Sequence, residues 1–600
     1  MDDISRDIEK AEIDASAGHP TVPAASKLPA DSPSRASFSS SSTSSSISST
    51  DSSDSDSDSG PSLHGIASIQ TQRDLERHPT VLSRIATQRS QHSATVGAGL
   101  RSRVSRKPLP AFGAGKPYPP PLPEREEYVV EFDGPDDPLH PQNWPLKSKL
   151  FTTVMLGWTT IIVSFTSSLF STALADVSRI FGVSRLVTVL GVSLYVFGFA
   201  TGPLIWAPLS ELKGRRLPII FAMFGFVIFQ FGGAAAKDLQ TIMICRFFGG
   251  FFGACPLTVV AAVFSDIFNP SVRGLAITVF SMAVFSGPFL APFVGGFIVT
   301  SHLGWRWTQF LPGILGASAL ILDILFLQET YPPVVLVQKA AELRRRTRNW
   351  GIHAKQEEIE IDLRELIQKN FARPLRILVT EPIVLLLSIY GAFLYGLLYL
   401  FLTAYPIVFQ QIHGFSPGVS GLPYFGVIIG QLLGGLSIIL SQPWYVRKLE
   451  ANGGVQVPEW RLPHVMVAGV SFAAGLFWFG WSGYKGSIHW IVPTMSGILT
   501  GFGLLVIFLQ SMNYIVDAYV LFAASAIAAN TLLRSIAGAV FPLFATQMFE
   551  ALGVNWAGTL LGCVGVLLAP IPVIFYLYGS RIRARSKFSP KFTPEDLLDD

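Results

Sequence analysis

Roughly twelve apolar stretches, each about 20 residues long and so able to cross the hydrocarbon core of a bilayer, fill the chain between Leu150 and Tyr578. A run of that length satisfies its own backbone in lipid as a helix. The stretches fall near residues 150–172, 186–207, 217–236, 239–264, 274–299, 308–328, 383–409, 419–441, 463–482, 489–512, 519–545 and 555–578. The chain therefore reads as an all-α polytopic membrane protein, with the lipid bilayer as its first partner. Composition agrees: hydrophobic residues make up 49%, charged residues 14%, and mean hydropathy is +0.42, values a soluble globular chain of this length rarely reaches. A net charge of +4 implies neither a nucleic-acid surface nor an acidic substrate. Cys245, Cys255 and Cys563 all lie inside apolar runs and offer no metal spacing or disulfide framework. They read as core packing, and no metal or cofactor is expected.

Residues 1–145 are a different material. Ser37 to Ser59 is almost pure Ser, Thr and Asp, and Lys107 to Pro123 is Pro-rich; neither buries enough apolar surface to offset chain entropy. This part is expected to be a disordered cytosolic tail. It lacks the positively charged start and apolar core of a secretory signal. Asp51 to Asp58 alternates acid and Ser, a substrate for an acid-directed kinase or simply a solvated tail. The tail ends at Asp137-Pro-Leu-His-Pro-Gln-Asn-Trp-Pro145, a turn-rich segment with an interfacial Trp.

Lys and Arg set the expected orientation. Lys147, Lys149, Lys213, Arg215, Arg216, Arg273, the bases between Lys339 and Arg376, Arg447, Lys448, Arg461 and those from Arg581 to Lys591 fall on one side. Only Arg179, Arg185, Lys237, Arg306 and Lys485 stand opposite. A bias of about five to one places both termini in the cytosol. The one long internal break, residues 331–380, carries mixed charge at helical spacing and reads as a cytosolic loop with one or two surface helices. It separates an N-terminal six-helix bundle (146–330) from a C-terminal one (381–580), followed by a cytosolic tail (581–600). Six plus six around a midplane cavity is the layout of rocking secondary carriers.

Local motifs sharpen this. Gly202-Pro-Leu-Ile-Trp-Ala-Pro-Leu-Ser-Glu-Leu-Lys-Gly-Arg-Arg-Leu-Pro218 resembles the major facilitator signature between the second and third spans. Ala207 stands for its first Gly, Glu211 for its acid and Leu212 for a base. Gly214 permits the tight turn, Arg215 and Arg216 anchor the cytosolic side, and Glu211 is placed to pair in one bundle orientation, so the cassette reads as a gating hinge. Arg246, followed by Gly249, Gly250 and Gly253 on the same face of the fourth span, is similar to the family's Arg-x-x-x-Gly pattern, which implies a guanidinium that biases a proton step. A buried arginine must face the bundle interior. In the fifth span, Gly287-Pro-Phe-Leu-Ala-Pro-Phe-Val-Gly-Gly296 resembles the antiporter motif of proton-driven drug exporters. Pro288 and Pro292 delete backbone hydrogen bonds, while Gly287, Gly295 and Gly296 let a neighbour approach.

Asp137 to Pro145, Gly304-Trp-Arg-Trp-Thr-Gln309, Glu329-Thr-Tyr-Pro332 and the pattern from Asp517 through Asn530 to Ser535 look like the fungal twelve-span drug:proton antiporters, over about Asp137 to Lys587. That resemblance implies two six-helix bundles, a small-molecule substrate, protons as the second cargo and the plasma membrane; a monomer is the default expectation.

Candidate site residues follow from position. Asn530 and Arg534 are four apart in the eleventh span and share a face. Tyr390, Phe393, Tyr395 and Tyr399 enrich the seventh with aromatics, and Gln431 and Gln510 add amides, a mixture suited to amphiphilic or cationic solutes. Asp323, the acid with apolar neighbours on both sides, is the candidate proton carrier; a residue paired with a loop base is the alternative. No Gly-x-x-x-x-Gly-Lys-Ser/Thr occurs and the histidines sit at loops or span edges, so neither a nucleotide-driven pump nor an intramembrane enzyme is expected. The reading is a proton-coupled exporter of drugs, polyamines or a secreted metabolite or glycolipid. A nutrient or organic-acid transporter, or a transporter-like sensor, stays open.

Overall fold

The computed structural model describes residues 128–358, 371–452, 456–586 and 588; residues 1–127 of the expected 1–145 tail, and most of the expected C-terminal tail 581–600, lie outside them. Among the described residues the protein is helical, with a single isolated bridge between Val129 and His353. The membrane-length helices are α1 (Leu146–Phe181), α2 (Arg185–Lys213), α3 (Arg216–Ala235), α4 (Leu239–Ile267), α5 (Val272–Thr300), α6 (Trp307–Phe326), α7 (Pro382–Ile412), α8 (Val419–Ala451), α9 (Pro458–Gly483) and α10 (Ile491–Ala518). Ala523–Arg585 follows as one long apolar segment, but Gly553 breaks it with φ of 73°, a left-handed conformation that glycine adopts without penalty. Two passes result, α11 (523–552) and α12 (554–585), which makes twelve among the described residues.

α1 is longer than its apolar run suggests. A 3-10 turn at Phe170–Ala173 hands the chain to a further amphipathic helix, Leu174–Phe181, which buries Leu174 and Val177. Between the halves lie Pro332–Thr347, a 3-10 turn at Lys355–Glu358 and Arg373–Thr380. The segment before α1 is tied to this connection. Asp137 accepts the backbone N–H groups of Asp133 and Leu139 at 2.9 and 2.8 Å, and Lys339 reaches Asp133 and Asp137 at 3.1 and 3.5 Å.

Helix pairing repeats. α1 packs on α5, α2 on α4, and α3 on α4 and α6; α7 packs on α11, α8 on α10, and α9 on α10 and α12. Adding six to each number of the first set yields the second. The halves meet where α2 touches α11 and α5 touches α8, a pair that exchanges under the same rule. Small residues make the repeat possible: a Cβ on Gly250 of α4 would lie 2.0 Å from the Tyr195 carbonyl of α2, and one on Gly430 of α8 would lie 2.1 Å from the Ile498 carbonyl of α10. Backbone against backbone at that range excludes any larger residue.

Candidate functional site

Arg246 is 1% exposed. Its Nε donates to the Gly191 carbonyl at 2.8 Å, and its two terminal nitrogens donate to Thr166 and Ser167 carbonyls at 3.3 and 3.2 Å. Thr166 and Ser167 lie in the last turn of the α-helical part of α1, where carbonyls lack helical partners and the helix dipole is negative. A guanidinium supplies donors and charge together. The rings of Tyr195 and Phe170 cover it, 4.3 and 5.1 Å from its carbon, and Tyr195 is anchored by its hydroxyl to the Val163 carbonyl. Gly249, Gly250 and Gly253 all pack toward Tyr195, which explains their spacing.

From Ser167 the cluster crosses to the second half. The Tyr399 hydroxyl donates to Ser167 Oγ at 3.0 Å, Tyr399 meets Tyr395 edge-on at 5.3 Å, and Tyr395 and Phe508 lie 5.2 and 4.8 Å from the Arg534 guanidinium. Arg246, Tyr399, Tyr395 and Arg534 thus form one chain of contacts through α4, α1, α7 and α11. No carboxylate among the described residues pairs with either arginine. Beside it, Leu387, Gly391, Leu394, Ile507, Phe508, Ser511, Met512 and Asn530 line a cavity of about 10 Å³, the lower limit for one water.

Other residues singled out from the sequence divide. Asn530 faces the cavity and donates to Ser388 Oγ at 3.2 Å, leaving its Oδ1 without a partner. Gln431 meets Ser286 at 3.5 Å across the α5–α8 contact. Tyr390 and Phe393 do not join the arginine chain: Tyr390 points its hydroxyl at Gly469 of α9, and Phe393 packs on Phe472 and Phe541. Gln510 accepts from Asn513 at 3.3 Å, within its own helix.

Asp323 is fully buried. Its carboxyl receives the Thr159 hydroxyl at 3.3 and 3.4 Å, and no base among the described residues pairs with it. Thr159 is eight residues before Ser167, so Asp323 sits about 12 Å along α1 from the arginine chain, toward the end carrying the basic loops.

At that end the Gly-Arg-Arg turn is organised around an acid that follows α6, more than a hundred residues later in the chain. Glu329 accepts the backbone N–H groups of Arg215 and Arg216 at 2.7 and 3.2 Å, the unsatisfied donors that open α3. Gly214 has φ of +87°, and a Cβ there would lie 2.2 Å from the Glu329 carboxylate. Arg215 pairs with Asp266 at 3.0 Å, donates to Ser210 at 2.8 Å and lies under Tyr331. Burial discourages its charge, but Asp266 and Glu211 outweigh that and hold its pKa above the ordinary guanidinium value. The Arg216 side chain donates to the Ile324 carbonyl, and Gln356 donates to the Glu211 carbonyl, tying the connection between the halves to α2.

α5 is a continuous helix through Pro288 and Pro292. Its glycines face two ways: Cβ atoms on Gly287 and Gly295 would press on Ser164 and Phe165, and on Leu169 and Thr172 of α1, whereas one on Gly296 would lie 2.3 Å from the Pro417 carbonyl before α8. Sequence reasoning passed over Ser167, Tyr195, Phe508 and Thr159. A run of hydroxyl residues inside an apolar span, Ser164 to Ser168 around Phe165, was the available signal.

The family model described as "Major Facilitator Superfamily" matches residues 156–542. The chain is 50% identical over 513 residues to the Candida albicans "Major facilitator superfamily multidrug transporter FLU1", covering 85% of this chain and 84% of that protein. It is 48% identical to "Multidrug transporter TPO1_2" of Candida glabrata, covering 81% and 84%, and 46% identical to an "Ascochitine biosynthesis cluster MFS transporter" of Didymella fabae, covering 78% and 91%. Among solved structures, the Escherichia coli xylose transporter XylE in a partially occluded inward-open conformation superposes with a TM-score of 0.51 at 17% identity, over 71% of this chain and 98% of that one.

Proposed function

Because the chain belongs to the major facilitator superfamily, we propose that it is a proton-coupled efflux transporter that moves amphiphilic small molecules outward by alternating access. It is a multi-pass membrane transporter and not an enzyme. Efflux is supported by relatives named multidrug transporters and one named for a biosynthetic cluster, so drugs and a secreted metabolite are both within the reading. The plasma membrane, cytosolic termini and a monomer belong to the same proposal.

One observation carries the proton coupling: Asp323 is a buried carboxyl whose partner is a hydroxyl rather than a cation. An uncompensated charge there is costly, so binding a proton when closed and releasing it to water when the bundle opens is the exchange this site suits. In the same scheme Arg246 and Arg534, with Asn530 alongside, are the interior charges that respond to substrate. Glu211, Gly214, Arg215 and Arg216 are the gating hinge, and Gly287, Pro288, Pro292, Gly295 and Gly296 are the sliding face of α5. Tyr395 and Tyr399 line the route, with Gln431 at the α5–α8 contact.

The test uses the purified chain in proteoliposomes loaded with a fluorescent amphiphile. An imposed pH gradient should drive transport without ATP, and a protonophore should abolish it. Transport that needs ATP while the gradient is clamped refutes the proposal.

A further inference from the structure

We propose that Arg246 and Arg534 form a subsite for an anionic headgroup, a carboxylate or similar oxyanion carried on an apolar body; the proposal rests on the transporter reading above and names the substrate class it favours. Arg246 is buried and Arg534 half-buried, and neither has a carboxylate partner among the described residues. The partners of Arg246 are neutral carbonyls, two of them at a helix end, which satisfy its donors and offset its charge only in part. Among the described residues Arg534 touches two rings, and its buried Nε has no acceptor. A guanidinium presents its donors in a planar fork that matches an oxyanion.

The surroundings fit the rest of such a molecule. Phe508 touches Arg534 and also lines the small cavity with Leu394 and Ile507, so an apolar wall adjoins the charge. Separation of α1 from α7 breaks the Tyr399 to Ser167 hydrogen bond and frees a hydroxyl donor between the two arginines. A cationic solute finds no counter-charge here. Asp323 lies about 12 Å away along α1, Asp517 is held by Arg461, and Glu381 accepts from Tyr519.

Three probes of one shape separate the possibilities: 4-(pyren-1-yl)butanoate, its neutral amide and 4-(pyren-1-yl)butylamine. Binding is measured on the full chain in nanodiscs with empty discs subtracted. The carboxylate should bind at least tenfold tighter than the amide, and the amine no tighter than the amide. Arg534→Gln should bring the carboxylate down to the level of the amide, while Arg534→Lys keeps part of the preference. Equal binding of carboxylate and amide by the unaltered chain, tighter binding of the amine, or a preference that survives Arg534→Gln overturns the subsite. Efflux of the same probes distinguishes the two readings. Proton-driven export without carboxylate preference removes the subsite and keeps the transporter reading; carboxylate preference without export of any probe under a pH gradient does the reverse.

Discussion

Asp323 and Arg246 are both buried ionisable groups in an apolar interior, yet their surroundings differ in kind. Three carbonyls receive Arg246, so it stitches α4 to α1 and α2 as well as carrying charge. Arg246→Ala leaves those acceptors bare and a gap beside Tyr195. At about 1–3 kcal/mol for a bond from a charged donor, a fall in thermal stability of several degrees should accompany loss of transport. Arg246→Lys should recover part of the stability but little transport, since an ammonium cannot span three carbonyls. Full transport by the alanine variant would show that the charge is structural only. Asp323 has a lighter attachment, and Asp323→Asn keeps an acceptor for Thr159. Stability should therefore hold while proton-driven efflux falls at least tenfold, with substrate counterflow retained. Undiminished efflux under a pH gradient would exclude Asp323 as the proton carrier.

Among elements, α5 and the α2–α3 turn are the most sharply constrained. A Cβ on Gly295 would lie 2.5 Å from Thr172 Oγ1 and 2.9 Å from Leu169 Cδ1, so Gly295→Leu must push α5 off α1. Transport should drop at least tenfold and a substrate-independent proton leak should appear. Pro288→Ala restores a backbone hydrogen bond without bulk and should lower transport only two- to threefold. Unchanged substrate and proton flux in both variants would reduce the motif to packing. The turn is tested by Gly214→Ala, which adds left-handed strain of about 1–3 kcal/mol and drives a methyl into the Glu329 carboxylate. Uncapping α3 should lower both stability and transport; wild-type behaviour would mean that the Glu329 contact is dispensable.

For the whole molecule, the contacts that count are those between halves: α2 with α11, α5 with α8, and Tyr399 with Ser167. Alternating access requires each to slide or part. Ser286 Oγ lies 3.5 Å from Gln431 Oε1, so cysteines at both positions, in a background lacking Cys245, Cys255 and Cys563, should be joined by a short bis-methanethiosulfonate reagent. Transport should stop and return with reductant. Transport at full rate by the cross-linked protein would show that the α5–α8 contact does not move.

The number and order of the spans were legible in the sequence because apolar length is a local property that the bilayer reads directly; where each ends was not, since α1 runs on to Phe181. So was the need for an interior environment around Arg246, since lipid offers a guanidinium none. Partners were not legible. That Arg246 takes carbonyls from α1 and α2, that Arg534 reaches Tyr395 while Tyr390 turns to α9, and that Glu329 caps a helix more than a hundred residues earlier are decided by helix rotation and neighbour choice. Nearly uniform apolar faces carry little record of either. Tertiary packing decided them, because only the assembled bundle determines which buried polar group finds an acceptor and which charge is left without one.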